Sequence, residues 1–242
     1  MKNQHLWRAL GRNTIISIIL FGALLGLLWL AEMIFPEVTL LKWFDPAWVV
    51  GIPASIIGVS YILTIRDPQN YTGFYAGIVM SILLGVQFML QRPMPGVDSA
   101  FLFFCVFIPF QIKSIITWMR PAKEDAPFKP EYLSVKAALL SVLILIIITA
   151  ADYLFATWYY GNTLGDAIES KLLGGLLISS SILANFWLIY RKTDAWFYWV
   201  AYSIAGIGLF IIIGNIFSIV LFLFFLVING MAGLAWIKLS KK

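Results

Sequence analysis

The hydrophobic positions of the chain form eight long runs, separated by polar or helix-breaking residues. Each run is close to or above the roughly 20 residues that a helix needs to cross about 30 Å of hydrocarbon. Prolines and a Gly–Asn pair fall between the runs, as expected where helices end. The runs are Thr14–Phe35, Pro46–Ile65, Tyr71–Leu90, Val97–Met119, Tyr132–Trp158, Leu164–Tyr190, Ala195–Ile213 and Ile216–Lys238. The pattern predicts an all-α integral membrane protein with eight transmembrane helices.

Two parts of this helix assignment are less clearly marked in the sequence than the others. The last two helices are separated only by Gly214 and Asn215. The first run follows three basic residues, as the apolar core of a secretory signal does, but it is longer than the roughly 7–15 residues of such a core. No small-residue cleavage site stands out after it. We therefore predict a helix there, preceded by a polar tail that contains His5.

The composition excludes several classes of function. Of 242 residues, 61% are hydrophobic and 12% are charged, whereas a soluble domain carries about 25% charge. Cys105 is the only cysteine and His5 the only histidine, so a disulfide, a cysteine metal site and histidine-based catalysis are not expected within one chain. A serine hydrolase built on Ser179, Ser180 or Ser181 would have no base. We expect neither an enzyme nor a bound cofactor.

The basic residues indicate the orientation in the membrane. If the N-terminus is inside, the inner segments hold twelve Lys and Arg residues and the outer loops only Lys42 and Arg92. Cytoplasmic segments carry such an excess, so both ends are predicted to be cytoplasmic, in a bacterial inner (plasma) membrane. The net charge of +5 is spread over helix ends rather than gathered in one patch. Nucleic acid is therefore not an expected partner.

The two halves of the chain share local patterns. Phe74–Tyr75 and Phe197–Tyr198 each open a helix after an inner turn. In the last helix of each half an amide precedes a tryptophan by seven positions, at Gln111 and at Asn229. Chance similarity between apolar helices is the alternative explanation. The pattern favours two parallel three-helix repeats, an arrangement that places a transporter's substrate site at the repeat interface.

This organisation divides the chain into four segments. The predicted segments are 1–45, an N-terminal tail and extra helix; 46–119, the first three-helix repeat; 120–163, a cytoplasmic loop and linker helix; and 164–242, the second repeat and a cytoplasmic tail.

Polar and aromatic side chains inside the spans are the candidates for solute binding. No ionisable residue lies deep in a span, which disfavours a charge-driven pump. Trp196, Trp199 and Tyr202 recur at helical spacing, and Ser203 joins their face. Such a face stacks on a flat ring, and amides bond hydroxyls and carboxamides. The candidate residues are Gln87, Gln111, Trp196, Trp199, Tyr202, Ser203, Asn215 and Asn229.

Each candidate also has a structural interpretation. Trp196 lies one turn from the predicted inner interface, where tryptophans anchor helices. Gln87 and Asn229 would equally bond a neighbouring helix, as polar residues in membrane bundles do.

The chain resembles the PnuC family of vitamin transporters over roughly Pro46 to Lys238. The residues that carry the resemblance are Arg191–Lys192, Trp196-x-x-Trp199, Asn229–Gly230, Trp236 and, in the first half, Asn70–Tyr71 followed by Gln87. The resemblance implies a 3+1+3 helix fold, like a full-length relative of the SWEET sugar carriers. It also implies facilitated diffusion of nicotinamide riboside, which a cytoplasmic kinase then phosphorylates and traps.

The resemblance further implies roles for particular residues. Trp196, Trp199 and Tyr202 would flank the ring, while Gln87 and Asn229 would bond the polar arm.

This sequence departs from the family pattern near that presumed pocket. Gln111 stands where the family often has Asn, and Phe104 where it has Gln. The Gly–Trp pair of the family is missing, with Ile115 at that place, and Ser203 stands at a position that can hold Asn. These departures leave thiamine, riboflavin or a deoxynucleoside open as the solute. A SWEET-type sugar carrier, a non-transporting membrane scaffold and assembly as a homo-oligomer also stay open.

Overall fold

The computed structural model describes residues 4–34, 45–90, 100–119, 129–160, 168–214 and 216–241. Eight helical segments run through these ranges. They are α1 (Gln4–Ile34), α2 (Pro46–Ile65), α3 (Gly73–Leu90), α4 (Leu102–Met119), α5 (Val135–Tyr160), α6 (Ile168–Ile189), α7 (Ala195–Ile213) and α8 (Ile216–Ser240). The chain divides into two compact units, Met1–Glu124 with α1 to α4 and Asp125–Lys242 with α5 to α8.

The expected all-helical fold is confirmed within the described ranges. Seven helices are long and apolar enough to cross a membrane, and the apolar stretch Val49–Ile65 of α2 is shorter. The large apolar side chains of α1 and α5 are mostly exposed, as side chains that face lipid would be. The predicted division into four segments stays a prediction.

The first helix begins earlier than its hydrophobic run. We expected a polar tail up to Asn13, but α1 starts at Gln4 and includes His5. The carbonyl of Leu6 accepts hydrogen bonds from Asn70 Nδ2 at 3.5 Å and Thr72 Oγ1 at 3.2 Å, both from the turn before α3. These tertiary bonds hold the polar start of α1 against the turn before α3. The hydropathy of the sequence does not reveal this contact.

The first helix of each unit is tied to the second by a hydroxyl pair. Thr14 and Ser60 join α1 to α2 at 2.8 Å, and Thr149 and Ser179 join α5 to α6 at 2.9 Å. A Cβ at Gly175 would lie 2.7 Å from the Thr149 carbonyl oxygen, so α5 and α6 approach closely there. Hydrogen bonds of this kind contribute roughly 0.6–2 kcal/mol between membrane helices.

The turn between α6 and α7 is bonded to the segment that precedes α5. Lys192 Nζ lies 2.6 Å from Glu131 Oε2, and this cation lowers the pKa of the Glu131 carboxyl by hydrogen bonding and charge. Asp194 Oδ2 accepts the backbone N–H of Leu133 at 2.8 Å. Arg191 has a φ of 54°, a left-handed conformation that is uncommon for a side-chain-bearing residue. The turn is therefore held in shape by tertiary bonds.

The weakest predicted break, between the last two helices, is confirmed. Gly214 has a φ of 73°, and its N–H bonds the carbonyls of Ile211 and Phe210. Glycine adopts this left-handed conformation without steric cost, so it ends α7 before α8 begins at Ile216.

A wide helical turn precedes the internal proline of α4. Leu102–Phe107 is a π-helix, and the N–H of Ile108 bonds the carbonyl of Phe103, five residues back. Pro109 has no N–H, and its ring would clash with the carbonyl of Cys105 in a regular helix. The wider turn relieves that clash.

Glycine packing against a ring brings α7 and α8 together, which yields a first prediction. A Cβ at Gly206 would lie 2.0 Å from Phe222 Cδ1 and Cε1. We expect Gly206→Ala to destabilise the protein by about 1–3 kcal/mol, because the ring must move in a packed interface. Thermal unfolding in detergent would measure this loss.

Gly174→Ala is the matched control, because a Cβ there meets no atom within 4 Å and alanine favours a helix. Equal melting temperatures for the two variants would contradict the packing argument.

Candidate functional site

Side chains on one face of α8 pack against α7 at seven-residue intervals. Trp236 meets Trp196 edge to face, with ring centroids 5.6 Å apart, and Phe222 packs against Gly206. Between these two contacts lies Asn229, which is 1% exposed. We call this contact, from the Trp196–Trp236 pair to Phe222, the α7–α8 seam.

A small hydrogen-bond network orients the amide at the middle of the seam. Asn229 Nδ2 donates to Ser203 Oγ at 3.1 Å and to the Trp199 carbonyl at 3.4 Å. The Ser203 hydroxyl donates to the same Trp199 carbonyl at 2.9 Å. Asn229 Oδ1 is buried and has no hydrogen-bond partner among the described residues. The network therefore holds the amide nitrogen and leaves its oxygen available.

Aromatic rings surround this network. The Trp199 and Tyr202 rings lie edge to face at 5.3 Å, and Tyr202 is also 5.3 Å from Phe222. Trp199 Nε1 is buried and, within the described part of the chain, lacks an acceptor. The site thus combines aromatic faces with two donors that no described residue pairs, Trp199 Nε1 and Trp196 Nε1, and one such acceptor, Asn229 Oδ1.

The structure brings together five of the predicted site residues on α7 and α8: Trp196, Trp199, Tyr202, Ser203 and Asn229. Phe222 belongs with them but was not predicted. Its signal was present in the sequence, since it precedes Asn229 by the same seven positions that separate Asn229 from Trp236. Asn215 lies outside the described residues.

The first unit contains a comparable contact between α3 and α4. Phe104, Gln111 and Trp118 also follow one another at seven-residue intervals on one helix. Their partners on α3 are Gly85 for Phe104, Gly77 for Gln111 and Phe74 for Trp118. The Phe104 ring lies where a Cβ of Gly85 would be 2.6 Å away, and the Trp118 ring is edge to face with Phe74 at 4.6 Å.

The amide of this first contact bonds another helix. Gln111 Nε2 donates to the Tyr61 hydroxyl of α2 at 3.4 Å, and both side chains are buried. Tyr61 was not predicted as a partner, because nothing in the hydrophobic pattern distinguishes a tyrosine whose hydroxyl faces a neighbouring helix. The role of Gln111 in binding a solute stays a prediction.

Gln87 lies apart from Gln111 within the first unit. Its amide packs against α2, where a Cβ at Gly51 would be 2.8 Å from Gln87 Nε2. Gln87 is ten positions beyond Gly77 on α3, or about 15 Å along the helix axis at 1.5 Å per residue. The two amides of this unit therefore do not form one binding group.

Comparison with known proteins identifies the family of the chain and a solved structure with a similar fold. Residues 48–238 match the family described as nicotinamide mononucleotide transporter, which is well over half of the chain. Among curated proteins, none matches the sequence. The crystal structure described as the vitamin B3 transporter PnuC is 18% identical, has a TM-score of 0.64, and matches over 98% of both chains. At this identity the likeness shows a shared fold.

The Tyr61–Gln111 bond generates a second prediction. Tyr61→Phe removes the hydroxyl that Gln111 uses in a buried site, so we expect a loss of about 1 kcal/mol in unfolding free energy. A double-mutant cycle with Gln111→Leu in detergent should return a coupling of roughly 0.5–1.5 kcal/mol. Tyr132→Phe, at a tyrosine that is 45% exposed, is the control. Additive effects of the two buried substitutions would show that the bond contributes nothing.

Proposed function

Because the chain belongs to the nicotinamide mononucleotide transporter family, we propose that it carries vitamin B3 across the membrane as nicotinamide riboside, by facilitated diffusion. The observation that carries the proposal is the α7–α8 seam. There a buried acceptor, Asn229 Oδ1, and a buried donor, Trp199 Nε1, lie unused beside aromatic rings. Unpaired polar atoms are costly in a dry interior, so a solute that completes both bonds is favoured.

The uncharged character of this region supports the riboside over the mononucleotide. Residues 195–237 contain no Asp, Glu, Lys or Arg. A phosphate group bound there would find no cation within these residues to pair it, which is costly. The riboside carries only the delocalised charge of its pyridinium ring, and indole faces attract such a cation. We place Trp199 and Tyr202 beside the ring and Asn229 on a polar group of the solute.

Corresponding contacts occur in the two units. They support two repeats joined by a linker helix, the SWEET-like 3+1+3 arrangement. In each unit a phenylalanine, an amide and a tryptophan follow at seven-residue intervals on the last helix, and they pack against the helix before it. We propose transport by alternating access, the mechanism that repeat-built carriers use. Facilitated diffusion needs a sink, so a cytoplasmic kinase would phosphorylate and trap the solute.

Thiamine, riboflavin, a deoxynucleoside or a sugar are the alternative solutes, and a scaffold that binds no solute is the alternative class. The serine at position 203 leaves the identity of the vitamin open. It lies in the hydrogen-bond network, at a position where the family can carry Asn. Binding experiments separate these alternatives directly.

The third prediction concerns ligand binding by detergent-purified protein. We expect saturable calorimetric binding of nicotinamide riboside, and no such signal with thiamine or riboflavin. Trp199→Ala should lower the affinity at least tenfold, because it removes the aromatic contact beside the ring and the N–H. Trp199→Phe keeps a ring and loses one hydrogen bond, so a loss of about two- to tenfold is expected.

Trp158→Ala is the control for the loss of a tryptophan, because that side chain on α5 is 78% exposed. Its affinity should equal that of the unmodified protein. If none of the three vitamins binds, the vitamin proposal fails and sugars become the next candidates.

The fourth prediction concerns orientation in the bacterial inner membrane. The excess of basic residues in the predicted inner segments predicts that both termini lie in the cytoplasm. Green fluorescent protein fused after Lys242 should therefore fluoresce, and alkaline phosphatase fused after Gly161, in a predicted outer loop, should be active. A dark C-terminal fusion together with an active C-terminal phosphatase would reverse the topology.

A further inference from the structure

The Asn229 amide reaches its neighbours through one end only. A carboxamide has a donor end and an acceptor end of nearly equal size, and only hydrogen bonding decides which end points where. Here the donor end is engaged by Ser203 and by the Trp199 carbonyl, while the acceptor end is buried without a partner among the described residues. The orientation of this one group determines what the site offers a solute.

We propose that Ser203 is a positioning residue that fixes the Asn229 amide with its oxygen toward the solute, so that the site selects a carboxamide over a carboxylate. The inference rests on the proposed function and names the chemistry of the solute at that site. Asn229 Oδ1 would accept the N–H of the nicotinamide carboxamide, and Trp199 Nε1 would donate to its carbonyl. One planar group thereby supplies a hydrogen-bond partner to each of these two atoms.

The local hydrogen bonds explain why the Asn229 amide does not flip its nitrogen and oxygen. The Trp199 carbonyl can only accept, so the amide atom that lies 3.4 Å from it must be the nitrogen. The Ser203 hydroxyl commits its proton to the same carbonyl at 2.9 Å and thus presents lone pairs to Asn229 Nδ2. A reversed amide would place its oxygen against the carbonyl and against a hydroxyl whose proton is already engaged.

The fixed orientation of the Asn229 amide would discriminate between two otherwise similar ribosides. Nicotinamide riboside carries a carboxamide, which both donates and accepts, whereas nicotinic acid riboside carries a carboxylate, which at neutral pH only accepts. A carboxylate against Asn229 Oδ1 would set two acceptors together and leave Oδ1 unpaired, a costly arrangement in a buried site. With Ser203 replaced by alanine, the amide loses one anchor and can turn its nitrogen toward the carboxylate.

The experiment measures the ratio of affinities for the two ribosides, by competition for uptake in vesicles and by calorimetry in detergent. The unmodified protein should prefer nicotinamide riboside, and Ser203→Ala should reduce that preference about tenfold. Ser203→Thr keeps the hydroxyl and should retain the preference. Ser203→Cys offers only a weak acceptor and should lose preference in the same direction, which keeps the test available if the alanine variant does not fold.

Ser81→Ala is the matched control. Ser81 is a buried serine in the first unit, and its hydroxyl donates to the Gly77 carbonyl four residues back, as that of Ser203 does to Trp199. Loss of this bond should leave the ratio of affinities for the two ribosides unchanged. Among the described hydrogen bonds, no side-chain amide bonds Ser81. An equal fall in both alanine variants would assign the effect to general loosening and overturn the inference.

The outcomes also separate the inference from the proposed function. If the unmodified protein binds nicotinamide riboside and Ser203→Ala keeps the full preference, the positioning role is wrong while the function stands. If the unmodified protein binds neither riboside, the proposed function fails and the inference fails with it.

Discussion

The structure depends on the absence of water from the hydrocarbon of the membrane. A buried polar group there must find a partner within the protein, or it raises the free energy of the folded state. Thr14 pairs with Ser60 and Thr149 with Ser179, so hydroxyls that the spans carry become ties between helices. Against this background a buried acceptor that no described residue pairs, such as Asn229 Oδ1, marks a place where a water or a solute would form a hydrogen bond.

The two amides at corresponding places in the chain illustrate how one pattern serves two purposes. Gln111 reaches across to Tyr61 and joins α4 to α2. Asn229 is one methylene shorter, and it bonds Ser203 and the Trp199 carbonyl of the adjacent helix instead. The longer side chain thus joins two helices of its unit through its nitrogen, while the shorter one is oriented by the adjacent helix.

Close approach of helices complements these hydrogen bonds. Lipid tails are as apolar as leucine, so helices in a membrane associate through packing rather than through the hydrophobic effect. Gly206 receives the Phe222 ring and Gly85 receives the Phe104 ring, and each contact brings the last two helices of a unit together. The same contacts give the amide between them a defined neighbour, which precise hydrogen bonding requires.

Hydrophobicity along the chain by itself determined the membrane class, the helix count and most helix ends, including the break at Gly214, because crossing a bilayer imposes a length and a composition. Helical spacing also predicted a shared face for Trp196, Trp199, Tyr202 and Ser203. Only the tertiary structure decided which partner each polar group meets, as with Tyr61 and Gln111. The physical reason is that an apolar side chain suits lipid and protein interior equally, so hydropathy cannot distinguish the two sides of a membrane helix. The early start of α1 at Gln4 has the same origin, since bonds to a distant turn hold it.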